Sequence, residues 1–140
     1  RESELARAAC PHDVRLAEDV VPLLDKHGQK ELAERLFRHQ YDLLSAVARD
    51  YPDSGFHRNN LAWLAARCHR ELDAALVNGE KAVELTPDYP GYLDTLAEVH
   101  FQRGNRQRAV ELEQRVVRMA PRNKTFRDQL ERFEQAPLPE

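Results

Sequence analysis

A chain of 140 residues is the usual size of a single domain with one hydrophobic core. Hydrophobic residues make up 41% of it and charged residues 32%, with only five glycines, which favours helices with one apolar and one solvated face and excludes a disordered chain. The formal charge of -3 offers no overall attraction to nucleic acid or anionic membrane, and two cysteines, Cys10 and Cys68, are too few for a disulfide framework.

The sequence also gives expectations about the solubility and cellular location of the chain. No apolar run approaches the length of a membrane-spanning helix, and no charged-then-apolar leader is present, so we expect a soluble domain. The first residue is Arg1 rather than Met, which indicates a piece of a longer protein. The compartment therefore stays open, with the cytoplasm as the default.

Apolar residues at helical spacing predict a series of helices along the chain. Pro22 falls inside the first of them and predicts a kink, because it removes a backbone hydrogen bond. A short helix is also expected before Pro11. The predicted helices span 13–27, 29–50, 55–67, 71–86, 90–103, 105–119 and 123–135.

The chain repeats itself. At a shift of 34 residues, four residues of one segment fall on residues of the same type in the next, and at a shift of 35 Leu61-Ala62 falls on Leu96-Ala97. One extra residue therefore lies in the turn at Cys68-His69-Arg70. A weaker copy appears near the N-terminus. The four matches at a shift of 34 are Ala75 with Ala109, Ala82 with Val116, Val83 with Val117 and Pro87 with Pro121.

Each repeat is predicted to be a helical hairpin. Gly104 can adopt the positive φ that ends a helix, and the Asn105 side chain can cap the next one. Pro52, Pro87 and Pro121 follow predicted helices and discourage their continuation, which marks the boundaries between units.

These residues resemble the tetratricopeptide repeat, a helix-turn-helix unit of about 34 residues with small residues where its helices meet. Leu96-Ala97, Gly104-Asn105, Ala109 and Pro121 match its first helix, turn, second helix and closing proline. The resemblance implies an all-α fold of antiparallel hairpins stacked as a short right-handed superhelix, an α-solenoid. We expect one domain over 1–135, with a degenerate repeat at 13–52, repeats at 54–88 and 89–122, a capping helix at 123–135 and a tail at 136–140.

The capping helix is expected to have an apolar inner side and a polar outer side. The proline-containing tail is expected to leave the domain. The inner side consists of Phe126, Leu130 and Phe133, and the outer side of Arg127, Asp128, Glu131, Arg132 and Glu134.

Members of this repeat family bind peptides or partner helices along a concave groove lined by the first helix of each unit. For Trp63 two interpretations stay equally open, the groove or the gap between stacked hairpins, because its counterpart Glu98 would be costly in a core. The resemblance places Asn59, Trp63, Arg67, Asp94, Glu98 and Phe101 in the groove, with Glu18 and Asp25 as candidates from the degenerate unit.

The implied function is a protein-protein interaction module, a scaffold or adaptor part of a longer protein. The basic clamp with which chaperone-binding relatives hold an acidic tail is not matched, since Asp94, Thr95 and Glu98 occupy the corresponding stretch. We therefore expect a protein or peptide partner with basic and apolar side chains.

The sequence gives little support for a metal site, a haem site or a catalytic site. No His or Cys pair has metal-ligand spacing, Ala65-Ala66-Arg67-Cys68-His69 lacks the first cysteine of a haem-attachment motif, and no phosphate loop or nucleophile elbow is present. The carboxylates are read as solvated helix faces rather than as an acidic pair with a raised pKa. We expect no enzyme activity, no cofactor and no metal.

Two alternatives stay open. The segment 105–124 carries six basic residues against two acidic ones, which is compatible with a nucleic-acid-binding array, although a solvated surface explains it as well. The chain could instead be a self-association module of a larger enzyme, forming a weak homo-oligomer.

Overall fold

The computed structural model describes residues 14–140, and within that part of the chain the regular structure is entirely helical. All of the predicted helices from 13 onward are confirmed, with ends within one residue of the predicted bounds. The short helix expected before Pro11, and Cys10, lie outside the described residues. The helices are α1 (Val14–Lys26), α2 (Lys30–Asp50), α3 (Gly55–Arg67), α4 (Leu72–Leu85), α5 (Pro90–Gln102), α6 (Arg106–Met119) and α7 (Lys124–Gln135).

Each helix packs against the next one along the chain, and α1, α3 and α5 also pack side by side. Three hairpins, α1–α2, α3–α4 and α5–α6, therefore stack in a row, and α7 lies against α6. This is the predicted all-α solenoid. Pro22 lies inside α1, and the kink expected there stays a prediction.

The turns within the hairpins differ in length. Gly104 has φ +84° and the Asn105 side chain accepts a hydrogen bond from the Arg108 N–H at 3.2 Å, which confirms the predicted turn and cap. The turn after α3 carries the extra residue, and here two non-glycine residues take left-handed conformations, His69 with φ +51° and Glu71 with φ +52°. The extra residue thus forces strain that the glycine turn avoids.

Small residues allow the helices to approach closely. Ala75, Ala82 and Ala109 are completely or almost completely buried. At Gly79 a Cβ atom would lie only 3.2 Å from Cδ1 of Leu96, so the missing side chain brings α4 onto α5. These residues set the spacing of the stack.

Helix α7 closes the last hairpin with its apolar side. Phe133 is fully buried, with its ring centroid 4.9 Å from that of Phe101, and Phe126 packs on the same cluster. Two expectations for this region were wrong. Arg132 does not face water but lies half-buried and bonded to Glu98, and Ala136 at the start of the tail packs on the core, with its carbonyl accepting a hydrogen bond from Arg106.

Candidate functional site

The predicted groove residues lie on α3 and α5, the first helices of two stacked hairpins. A chain of side-chain contacts joins them to α7. We call the surface formed by Asn59, Trp63, Arg67 and Asp94, with Gln129 and Arg132 of α7, the first-helix face; Glu98 is buried beneath it.

Trp63 is half-buried, so part of its side chain remains open to solvent. The Arg67 guanidinium carbon lies 5.7 Å from the centroid of the indole, within cation-π range, and one of its nitrogens lies 3.9 Å from a Glu98 oxygen. Arg67 therefore bridges an aromatic side chain on α3 to a carboxylate on α5.

Glu98 is fully buried, which contradicts the argument that a carboxylate at this position would be excluded from a core. It is tolerated because its charge is compensated: Arg132 of α7 donates a hydrogen bond to one oxygen, and Gln102 donates to the other at 3.3 Å. Glu98 is thus a structural link between helices, with no free oxygen turned toward a ligand.

Phe101 is also buried, with 2% of its surface exposed. Its ring packs against Phe133, and the guanidinium groups of Arg106 and Arg132 lie over it at 5.8 and 5.1 Å. Phe101 belongs to the core beneath the first-helix face, because α7 covers it, and we leave it out of the binding surface.

Asn59 lies half-buried one turn before Trp63. Its side-chain oxygen is buried and has no hydrogen-bond partner among the described residues. Such an atom costs free energy unless a ligand or water supplies a donor.

Asp94 lies half-buried on α5 against the carboxyl of Glu113, a fully buried residue of α6. Burial, and then the neighbouring carboxyls, raise the pKa of Glu113. Burial likewise raises the pKa of Asp94, where hydrogen bonding with Glu113 and then with Gln129 opposes the shift. Ionisation of both carboxyls at once is unfavourable in this arrangement. The expectation that the carboxylates all lie on solvated faces was therefore wrong for these two residues, which we call the acid pair.

The acidic residues proposed from the degenerate unit are placed differently. Asp25 accepts two hydrogen bonds from Arg70, at 2.7 and 3.0 Å, and this partner lowers the pKa of the Asp25 carboxyl. Asp25 thus helps to fix the strained turn after α3 rather than facing a groove. Glu18 lies half-buried on α1.

Three members of the site were missed by sequence reasoning: Glu113, Gln129 and Arg132. A signal for Glu113 was present, because it lies between Ala109 and Val116 at helical spacing and therefore on the buried stripe of its helix. Arg132 lies 34 residues after Glu98, at the equivalent position of the next first helix, which the same repeat shift identifies.

Within residues 14–140 no group of His, Cys, Asp and Glu side chains is arranged to hold a metal ion, and no helix has the length and apolar character needed to cross a membrane. Cys68 is buried as a free thiol, and burial raises its pKa to about 12, which makes it a poor nucleophile.

Comparison with solved structures identifies the fold. The chain is similar to the NMR structure of the first TPR domain of the human RPAP3 protein, with a TM-score of 0.63, 19% identity, and coverage of 90% of this chain and 93% of that one. It is also similar to the first TPR of Spaghetti (RPAP3) bound to the HSP90 peptide SRMEEVD, with a TM-score of 0.64, 19% identity, and coverage of 83% and 91%. No family model and no curated protein matches the sequence. The chain has the fold of a tetratricopeptide repeat domain.

Proposed function

We propose that the chain is a protein-interaction module that binds an extended peptide or a helix of a partner along the first-helix face, and that it acts by binding rather than by catalysis. The observation that supports it most is Trp63, a half-buried indole that lies beside the Arg67 guanidinium. Tryptophan and arginine are the residues that most often dominate binding energy at protein interfaces. Such a module serves as a scaffold or adaptor within a longer protein.

The rigidity of the face supports this proposal. The contacts from Arg67 through Glu98 to Arg132 tie three helices together, and Gln129 accepts hydrogen bonds from Arg132 at 3.0 and 3.3 Å. A surface whose side chains are already fixed loses less conformational entropy when a partner binds. Peptide binding by the similar domain of Spaghetti (RPAP3) supports the same use of the fold here.

The partner is expected to differ in charge from the peptide bound by that neighbour. SRMEEVD is acidic toward its end. On the first-helix face of this chain both guanidinium groups, those of Arg67 and Arg132, pair with Glu98, which leaves the half-buried carboxyl of Asp94 to meet a partner. Like charges brought together at an interface weaken binding. We therefore propose a partner segment with basic and apolar side chains.

The basic segment 105–124 gives less support to nucleic-acid binding than its composition suggests. Arg106 donates to two backbone carbonyls of the C-terminal region, and three other basic side chains of the segment pair with carboxylates. These groups are partly occupied within the chain and lie at different ends of the hairpin. The three pairs are Arg108 with Glu111, Arg115 with Asp88, and Lys124 with Asp128.

The proposal is tested with a displayed library of short random peptides selected on the chain, followed by calorimetry of a selected peptide with variants. Trp63→Ala should weaken binding by about tenfold or more, because it removes the aromatic anchor. The matched control is Phe56→Ala, which truncates an aromatic residue of the same helix that is 59% exposed and lies outside the first-helix face.

Both variants should keep the helical circular dichroism of the parent chain. Unchanged affinity for Trp63→Ala, or an equal loss for Phe56→Ala, would mean that peptides bind elsewhere. Glu98 is unsuitable for this test, because it is fully buried with Arg132 and its replacement would disturb folding.

A further inference from the structure

The acid pair connects the first-helix face, through Asp94 of α5, to the buried side of α6. Asp94 is half-buried on α5, and Glu113, which packs against it from α6, has none of its surface exposed. Neither oxygen of Glu113 has a hydrogen-bond partner within residues 14–140. A buried carboxyl without donors is costly, and the repeat fold does not require one at this position.

The cations nearby are already engaged. Arg132 donates to Glu98 and to Gln129, and Arg67 lies over Trp63 and beside Glu98. Three carboxyl groups thus lie close to two guanidinium groups, and both guanidiniums pair with Glu98. The acid pair is left without a cation of its own.

We infer that the acid pair receives one cationic side chain, a lysine ammonium or an arginine guanidinium, from the peptide that binds the first-helix face. This inference rests on the function proposed above and names the chemistry of its partner. Asp94 would accept the N–H groups directly, and Glu113 would add a second carboxylate behind it. Charge-assisted hydrogen bonds of this kind are about twice as strong as neutral ones.

A side-chain cation fits better than a metal ion. No described cluster of carboxylates and imidazoles has a metal-binding arrangement, and the Arg132 guanidinium would repel a divalent ion. An ammonium or guanidinium group, by contrast, carries a single charge and directional donors for oxygens that lack them.

Binding of a cation should release a proton. The groups that face the acid pair are Glu98 of α5, Arg132 and Gln129 of α7, and each carboxyl of the pair itself. Burial raises the pKa of both Asp94 and Glu113, so at neutral pH the free pair retains a proton. An incoming cation favours the fully ionised pair, and the displaced proton passes to solvent. Affinity should therefore rise with pH until the free pair is ionised.

The test uses the selected peptide and forms of it in which each Lys or Arg is replaced by norleucine. Calorimetry in two buffers of different ionisation enthalpy measures the protons released. The variants are Asp94→Asn and Glu113→Gln, with Glu111→Gln, an exposed glutamate of the same helix, as the matched control. Replacing one particular Lys or Arg of the peptide should weaken its binding to the wild-type chain by about tenfold. The same replacement should weaken binding to Asp94→Asn or Glu113→Gln by much less, because these variants already lack one carboxyl of the acid pair. Proton release should be lost in Glu113→Gln, which removes the carboxyl whose pKa is raised most, and should persist in Glu111→Gln.

The outcomes separate this inference from the proposed function. Selected peptides that carry no essential Lys or Arg, but still depend on Trp63, would overturn the cationic site and leave the interaction module standing. A peptide that depends neither on Trp63 nor on the acid pair would overturn both. If Glu113→Gln fails to fold, Asp94→Asn tests the accessible carboxyl, and if both fail, wild-type binding without proton release overturns the inference.

Discussion

Glu113 places a carboxyl group inside the protein without an N–H donor, and so it couples folding to pH. Its pKa is raised in the folded chain by burial and by the neighbouring carboxyls, whereas in the unfolded chain it titrates near the ordinary value of about 4.3. Above that value the folded state binds more protons than the unfolded state. The free energy of unfolding therefore falls as pH rises, until the pH passes the raised pKa of the folded state.

Glu113→Gln should remove this dependence. The amide is nearly isosteric, never ionises and can donate a hydrogen bond to Asp94, so we expect the variant to be more stable than the wild type by about 1–3 kcal/mol at neutral pH. At about pH 4 the advantage should nearly disappear, since the wild-type carboxyl is then protonated in both states. Urea unfolding across this pH range measures the difference.

Glu111→Gln is the control, because Glu111 is exposed and pairs only with Arg108 and Gln107 at the surface. Its stability should follow the wild type at every pH to within about 0.5 kcal/mol. A Glu113→Gln variant that is less stable than the wild type at neutral pH would show that Glu113 has stabilising partners as an anion.

The environment of a side chain could be predicted from the sequence where the residue follows the repeat pattern, and was predicted wrongly where the residue departs from that pattern. Glu113 lies on a buried stripe, but its charge suggested a solvated position, because the compensating contacts of Asp94 come from another helix. Phe101 was assigned to the groove because its position is inward-facing, yet α7 covers it through Phe133. Both outcomes depend on contacts between helices that local sequence does not encode.

Ala109 tests the packing of a single hairpin. It is fully buried between α5 and α6, in the core cluster that includes Leu96 and Leu112. Ala109→Leu should lower the free energy of unfolding by about 1–3 kcal/mol, because a close-packed interface has no room for the added carbons. Gln114→Leu, on the exposed side of the same helix, adds a leucine without overpacking and serves as the control. An unmoved unfolding midpoint for Ala109→Leu would show that the helices do not meet closely there.

The helices themselves could be predicted almost completely from the sequence, because their signals are local. The asparagine cap at Asn105, the glycine at Gly104 and the prolines between units act within one turn of the helix that they begin or end. The position of the turn after α3 could be predicted from the sequence, but its backbone conformation could not. Its left-handed residues His69 and Glu71 are held by ion pairs and hydrogen bonds with distant helices, such as Arg38 to Glu71.

At the scale of the whole molecule, α7 completes both the core and the candidate site. Deleting residues 123–140 would expose Phe101 and remove Arg132, the main partner of the buried Glu98. The truncated chain should associate or precipitate, because an open apolar surface is left on the last hairpin. Deleting only 137–140 should have no such effect, since this segment lies beyond the packed Ala136. Light scattering compares the two, and a monomeric 1–122 chain would contradict a capping role for α7.

The central claim, that partners bind along the first-helix face, has a direct probe in the chain itself. Trp63 is the only tryptophan, and it lies half-buried in that face, so its fluorescence reports on the face alone. Titration with the selected peptide should shift the Trp63 emission and saturate at the dissociation constant found by calorimetry. A peptide that binds by calorimetry yet leaves the emission of Trp63 unchanged up to saturation would contradict the claim.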